Sequence, residues 1–138
     1  MNQTFQKIVG GVLAVTALMG LSACGSKTED GDKAESIKVG FICLHDENST
    51  YDKNFIDAAK EAIANLGLTD ADYILKTNVP EGQECYEAAV DMVDKGCNII
   101  FADSFGHEPF MIQAAQEYPN VQFCHSTGTR AHTEGLAN

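Results

Sequence analysis

The stretch V-G-F-I-C-L-H-D-E-N-S-T-Y-D-K-N-F-I-D-A-A-K-E-A, from Val39 to Ala62, changes character twice. Its first six residues are mostly apolar, the next nine are almost all polar, and a helical pattern follows. A continuous apolar run is what a strand buried on both faces of a parallel sheet requires. Strand, loop and helix in that order form the first part of a βαβ unit. In an ordinary connection the polar run would only meet water. At the end of a central strand it can meet a ligand instead.

The same alternation continues along the chain. Ile37 to Leu44 reads as a strand. Asp52 to Leu66 reads as a helix with Phe55, Ile56, Ala59, Ile63 and Leu66 on its inner face, closed by Gly67. Asp72 to Thr77 is a second strand, running into N-V-P-E-G. Gln83 to Lys95 places Tyr86, Ala89, Val90 and Val93 at helical spacing before Gly96. Asn98 to Ala102 is a short strand. Pro109 suits the first turn of a third helix, with Phe110, Ala114, Ala115 and Tyr118 inward and Pro119 as its stop. Val121 to Cys124 is the fourth strand. Strands alternating with helices predict an α/β fold, a doubly wound parallel sheet with helices on both faces. Right-handed crossovers favour the strand order 2-1-3-4.

The N-terminus reads differently. Lys7 is the only charge in the first 26 residues, and Ile8 to Met19 is an apolar run broken by Gly10, Gly11 and Thr16. That run is short for a bilayer span, which takes about 20 apolar residues. A basic start, a short apolar core and a small-residue exit predict a secretory signal over residues 1–23. Its exit, Leu21-Ser22-Ala23-Cys24, resembles the bacterial lipobox. The resemblance implies cleavage before Cys24 and a diacylglyceryl group, with palmitate-type chains, on its sulfur. The protein is then expected at the extracytoplasmic face of the cell membrane, held by that lipid anchor. Residues 24–36 contain no apolar residue larger than Ala34 apart from Cys24 itself, so they are expected to form a disordered tether. Such a tether spans roughly 20 Å.

Lys7 leaves with the signal, so the net charge moves from −11 to −12. That balance argues against nucleic acid as a partner. Cys43, Cys85, Cys97 and Cys124 remain for the folded part. No C-x-x-C pair occurs, and Cys43 and Cys124 lie in apolar strand runs. Free buried thiols are favoured over a disulfide. Residues 37–138 form the expected ligand-binding lobe. Thr133 to Asn138, T-E-G-L-A-N, looks like the start of a helix without its body, so the lobe is read as incomplete and the sequence as the front part of a longer protein.

In an open parallel sheet, ligands bind beyond the carboxyl ends of the strands, where the strand order reverses. Here the reversal falls between strands 1 and 3. Strand 1 delivers His45, Asp46, Glu47, Asn48, Ser49, Thr50 and Tyr51; strand 3 delivers Asp103, Ser104 and Phe105; strand 4 delivers His125, Ser126 and Thr127. The candidate ligand-binding set is His45, Asp46, Thr50, Tyr51, Asp52, Asp103, Ser104, Phe105, His125 and Thr127. Polar groups mixed with aromatics suit a small polar ligand with a flat ring. Ser49, Thr50 or Asp52 would cap the first helix whatever the function. Cys43-x-His45 and Cys124-His125 match no structural zinc spacing. A phosphoacceptor receiver shares the strand order and the acids, but export separates it from cytoplasmic kinases. No G-x-S-x-G or phosphate-cradling glycine loop occurs, so no catalytic residue, metal or cofactor is assigned and the chain is not read as an enzyme.

I-I-F-A-D-S-F-G-H, followed by A-A-Q-E-Y-P-N-V-Q-F-C-H-S-T-G, is similar to a signature of the basic membrane protein (BMP) family. Asn78 to Gly82 and Lys38 to Ile42 also match it. These are lipid-anchored substrate-binding proteins of ABC importers, and those characterised bind nucleosides or nucleobases. The resemblance implies the first lobe of a type I periplasmic-binding-protein fold, a nucleoside or nucleobase ligand, and an ABC transporter permease as partner. A ligand sensor that signals without transport is the alternative. In part of the family a tryptophan followed by Ser/Thr-Tyr stacks on the base. Here Ser49-Thr50-Tyr51 aligns with it and the chain has no tryptophan. Another branch aligns Asp52-Lys53-Asn54-Phe55 instead. Helical spacing turns Phe55 toward the core, which leaves Tyr51 as the ring near the pocket.

Overall fold

The computed structural model describes residues 36–130. The expected signal sequence, Cys24, the expected tether up to Glu35 and the segment from Thr133 to Asn138 lie outside the described residues. Within them the elements run β1 (Val39–Ile42), α1 (Thr50–Asn65), β2 (Tyr73–Lys76), α2 (Gln83–Asp94), β3 (Ile99–Ala102), a 3-10 turn (Phe105–His107), α3 (Glu108–Glu117) and β4 (Gln122–His125). The strands pair in parallel in the order β2-β1-β3-β4. Val39 lies beside Tyr73 on one side and Ile99 on the other, and Ile99 lies beside Gln122. The expected sheet order is therefore the observed one.

Local chemistry fixes the ends. Ser49 caps α1: its hydroxyl accepts the Asp52 N–H and donates in turn to the Asp52 carboxylate. Gly67 (φ +69) and Gly96 (φ +88) close α1 and α2 in the left-handed region. Behind each, the next residue's N–H reaches back to the last turn, Leu68 to Ile63 and Cys97 to Met92.

Side chains alternate across the sheet. Ile42, Ile100, Ala102 and Phe123 face α2 and α3 and form one core with Cys85, Ala88, Ala89, Met92, Met111, Ala114 and Ala115. This shifts the expected inner face of α2 by one residue. Tyr86, Val90 and Val93 are only half-buried, while Cys85, Ala88, Ala89 and Met92 are the buried ones. Val39, Phe41, Cys43, Ile99, Phe101 and Cys124 face the other way, toward Phe55, Ala59 and Ile63 of α1, around an apolar cavity of about 580 Å³. Phe41 and Phe101 stack there at 5.5 Å. Phe55 lines this cavity half-buried, and Leu66, expected inside, is 68% exposed.

The four cysteines of the described residues are free, as favoured above; Cys124 is only half-buried. Burial pushes the Cys85 thiol up to about 12 and raises Cys43, Cys97 and Cys124 as well.

Gly40 is where α2 meets the central strand. A Cβ there would lie 2.5 Å from Met92 Sδ and 3.2 Å from Ile100 Cγ1, and both side chains are fully buried. Gly40→Ala is expected to cost about 1–3 kcal/mol through overpacking, read as a lower melting temperature. An unchanged melting temperature would mean that α2 does not sit on β1 in this way.

Candidate functional site

The carboxyl ends of β1, β3 and β4 bring their loops to one edge, held by side-chain acceptors. Asp52, in the first turn of α1, is 1% exposed. Its carboxylate accepts the His45 N–H at 2.8 Å and the Ser49 hydroxyl at 2.5 Å, and lies 3.2 Å from His45 Nδ1. Burial alone would raise its pKa, but the hydrogen bonds from Ser49 and from the His45 N–H outweigh burial and hold it near 2. Asp103, at the end of β3, is 3% exposed. Its Oδ1 accepts the Leu44 N–H at 3.1 Å, while Oδ2 is buried without a partner. Burial is the main cause that raises its pKa; the neighbouring Asp52 adds to it, against the Leu44 N–H and the Cys43 thiol. Two carboxyls in contact cannot both ionise cheaply. The two shifts accordingly run in opposite directions, Asp52 lowered and Asp103 raised.

The backbone carbonyls of Asp103 and Ser104 join the cluster. The Asp103 carbonyl accepts Tyr51 Oη at 2.9 Å and Ser126 Oγ at 2.8 Å. His125 Nε2 donates to the Ser104 carbonyl at 2.6 Å. His45, Tyr51, Asp52, Asp103, Ser104 and His125 are thus brought together, as expected for the strand-order reversal. Phe105 follows directly and is 62% exposed, as is 46% of Tyr51. Tyr51 also packs against Phe55 at 5.0 Å. Thr50 and Thr127 are exposed at the rim. Asp46 is turned away from the cluster: it accepts the Asn48 N–H and side-chain amide at 2.9 Å and interacts with Asn78 beyond β2. Asp52 and Asp103 lie beneath the surface rather than on it, and their lone pairs serve backbone N–H groups.

Two acids outside the expected set do similar work. Glu81, from N-V-P-E-G, accepts the Ser104 hydroxyl and the Gly106 N–H. Glu108, at the start of α3, accepts the Thr129 and Arg130 N–H groups, each at 2.6 Å. Those bonds, from Ser104 first for Glu81 and from Arg130 first for Glu108, lower both pKa values. His107, fully buried, donates Nε2 to the Val79 carbonyl at 2.9 Å. The sequence signal for Glu81 is an acid directly after the turn proline of strand 2. Nothing in the spacing singles out Glu108. The edge presents two rings, hydroxyls and an imidazole above a buried hydrogen-bonded layer, an arrangement for holding a molecule.

No family model matches the chain. It is similar in sequence to a purine-binding protein of Brucella abortus (strain 2308), 33% identical over 97 residues, 68% of this chain and 27% of the relative. The chain therefore spans about a quarter of the length of that curated relative. In structure it is similar to a transcriptional activator of the comK gene from Bacillus halodurans, with TM-score 0.57 and 22% identity over 66% of this chain and 30% of that one. It is also similar to an ABC transporter solute-binding protein from Conexibacter woesei DSM 14684, with TM-score 0.54 and 16% identity over 63% of this chain and 28% of that one. At these identities the likeness is one of fold, a four-stranded parallel α/β sheet flanked by helices.

The carboxyl pair makes a pH-dependent prediction. The lowered pKa of Asp52 contributes stability that is present above the ordinary carboxylate range and is lost as pH falls toward about 2. The raised pKa of Asp103 works in the opposite sense, its contribution being lost as pH rises through the raised value. Asp103→Asn keeps an oxygen for the Leu44 N–H and offers an N–H to Asp52. It is expected to raise the melting temperature by several degrees at pH 7, with a smaller gain at pH 3.5. Equal gains at both pH values would show that the two carboxyls do not share a site.

Proposed function

We propose that the chain is the first lobe of an extracytoplasmic solute-binding protein of the BMP type, taking a purine nucleoside or nucleobase for an ABC importer. The observation that carries this reading is the exposure of two aromatic rings, Tyr51 and Phe105, at the carboxyl edge of the sheet. Both rings are exposed at the strand-order reversal, and both are anchored through the Asp103–Ser104 backbone. A flat heterocycle offers a face for such rings and an edge for the hydroxyls and imidazole around them. Sequence similarity to a purine-binding protein and a fold shared with an ABC solute-binding protein support the reading. In this proposal a permease of the importer is the protein partner, and Cys24 carries the lipid that keeps the lobe at the cell membrane, extracytoplasmic face outward.

Calorimetry on the intact protein with adenosine, guanosine and their free bases, against uridine, tests the ligand. Base–aromatic stacking is worth about 1–3 kcal/mol per base, so Tyr51→Ala and Phe105→Ala should each weaken purine binding roughly 5- to 150-fold. A wild-type protein that binds none of these compounds, or two variants that bind like wild type, would overturn the reading. For the anchor, mass spectrometry of the exported protein is expected to find a diacylglyceryl-modified Cys24 as the first residue. An exported chain with an unmodified Cys24 sinks that part of the proposal.

A further inference from the structure

We infer that Glu81 is a positioning residue, one that sets the shape of the Ser104-Phe105-Gly106 turn and thereby the presentation of the Phe105 ring; its bearing on purine binding rests on the function proposed above. Glu81 does not stand at the reversal of strand order. It comes from the loop after β2, on the far side of β1 from β3, and reaches across the edge to the β3–α3 turn. There one oxygen, Oε1, accepts two donors, the Ser104 hydroxyl and the Gly106 N–H, the latter at 2.8 Å. The two donors flank Phe105 in sequence, so a single acceptor ties the Ser104 side chain on one side of the exposed ring and the Gly106 backbone on the other.

Three further observations make this a built contact. Asn78, which opens the Glu81 loop, holds a left-handed φ of +58, and the Val79 N–H is pinned to the Cys43 carbonyl at 3.1 Å. A second tie joins the same two loops, from His107 Nε2 to the Val79 carbonyl, with the His107 ring fully buried. Finally, Gly106 leaves the space that the glutamate fills. A Cβ at Gly106 would lie 2.4 Å from the Glu81 side-chain carboxyl carbon and 2.8 Å from its Cβ. Room of that kind is what a close approach demands of a glycine.

The geometry separates acceptor from charge. Both donors use one oxygen, so Glu81→Gln retains the acceptor and Glu81→Ala removes it. In Glu81→Ala the Gly106 amide should exchange with solvent faster, and the backbone signals of residues 104–107 should shift, while Glu81→Gln stays near wild type. Adenosine and guanosine binding to the intact protein should fall about tenfold in Glu81→Ala and be largely restored in Glu81→Gln. Gly106→Ala should reproduce the Glu81→Ala loss, and the double variant should be no worse than the worse single one, because both changes break the same contact.

Unchanged Gly106 exchange in Glu81→Ala would overturn the positioning role whatever the ligand. So would faster exchange with wild-type purine affinity, since the turn's shape would then not govern the ring. Equal loss of affinity in Glu81→Gln and Glu81→Ala would assign the effect to charge and equally overturn it. Absence of purine binding by the wild type sinks the function proposed above, and the exchange measurement then decides the clamp by itself.

Discussion

Backbone N–H groups that leave the end of a parallel strand have no neighbouring strand to pair with, and a buried one must find an acceptor. At this sheet's carboxyl edge the acceptors are carboxylates. Asp52 takes the His45 N–H, Asp103 takes that of Leu44, Glu81 takes that of Gly106, and Glu108 takes those of Thr129 and Arg130. The loops after β1, β3 and β4 each depend on at least one of these contacts. Charge-assisted bonds of this kind are the strong ones, which explains how short segments without regular structure hold a defined shape. It also explains why acids collect at an edge that need not attract a cation. Their lone pairs point inward, at the protein's own backbone.

That arrangement decides what was legible in the sequence. The alternation of apolar runs with helical patterns is a matter of side-chain period, and it placed every strand and helix within about two residues. Gly67, Gly96 and Pro119 mark helix ends by mechanisms local to a few residues, so they too could be read. The inner face of α2 was read only at Ala89, because Cys85, Ala88 and Met92 gain burial from the way the helix sits on the sheet. That seating is a tertiary quantity. At the site, Tyr51 and Phe105 were visible as aromatics in polar loops. Asp52 and Asp103 were visible as acids, but their burial was not. Glu81 and Glu108 went unread because an acceptor for a distant N–H leaves no periodic trace.

The two faces of the sheet are built differently. The α2/α3 face is filled by interlocking small and branched side chains around Met92 and Ile100, both fully buried. The α1 face keeps a cavity of about 580 Å³ along the stacked Phe41 and Phe101 rings. Close packing therefore concentrates on the side from which α2 and α3 leave their loops. Glu81 precedes α2 and Glu108 opens α3, so both clamps rest on the well-packed layer. The β1–α1 loop has its own support in Asp52 and Asp103, where burial, rather than helix packing, keeps the carboxyls in place.

The free thiols carry a chemical consequence. Burial pushes the Cys85 thiol up to about 12, so its thiolate is strongly disfavoured at neutral pH. Disulfide exchange and oxidation both begin from the thiolate. Burial thus disfavours the reactive form of Cys85 in the folded state without the need for a disulfide. Unfolding removes that protection, because each thiol then returns to an ordinary value near 8.5. Oxidative damage should accordingly track the time the chain spends open, which makes cysteine modification a chemical record of its folding history.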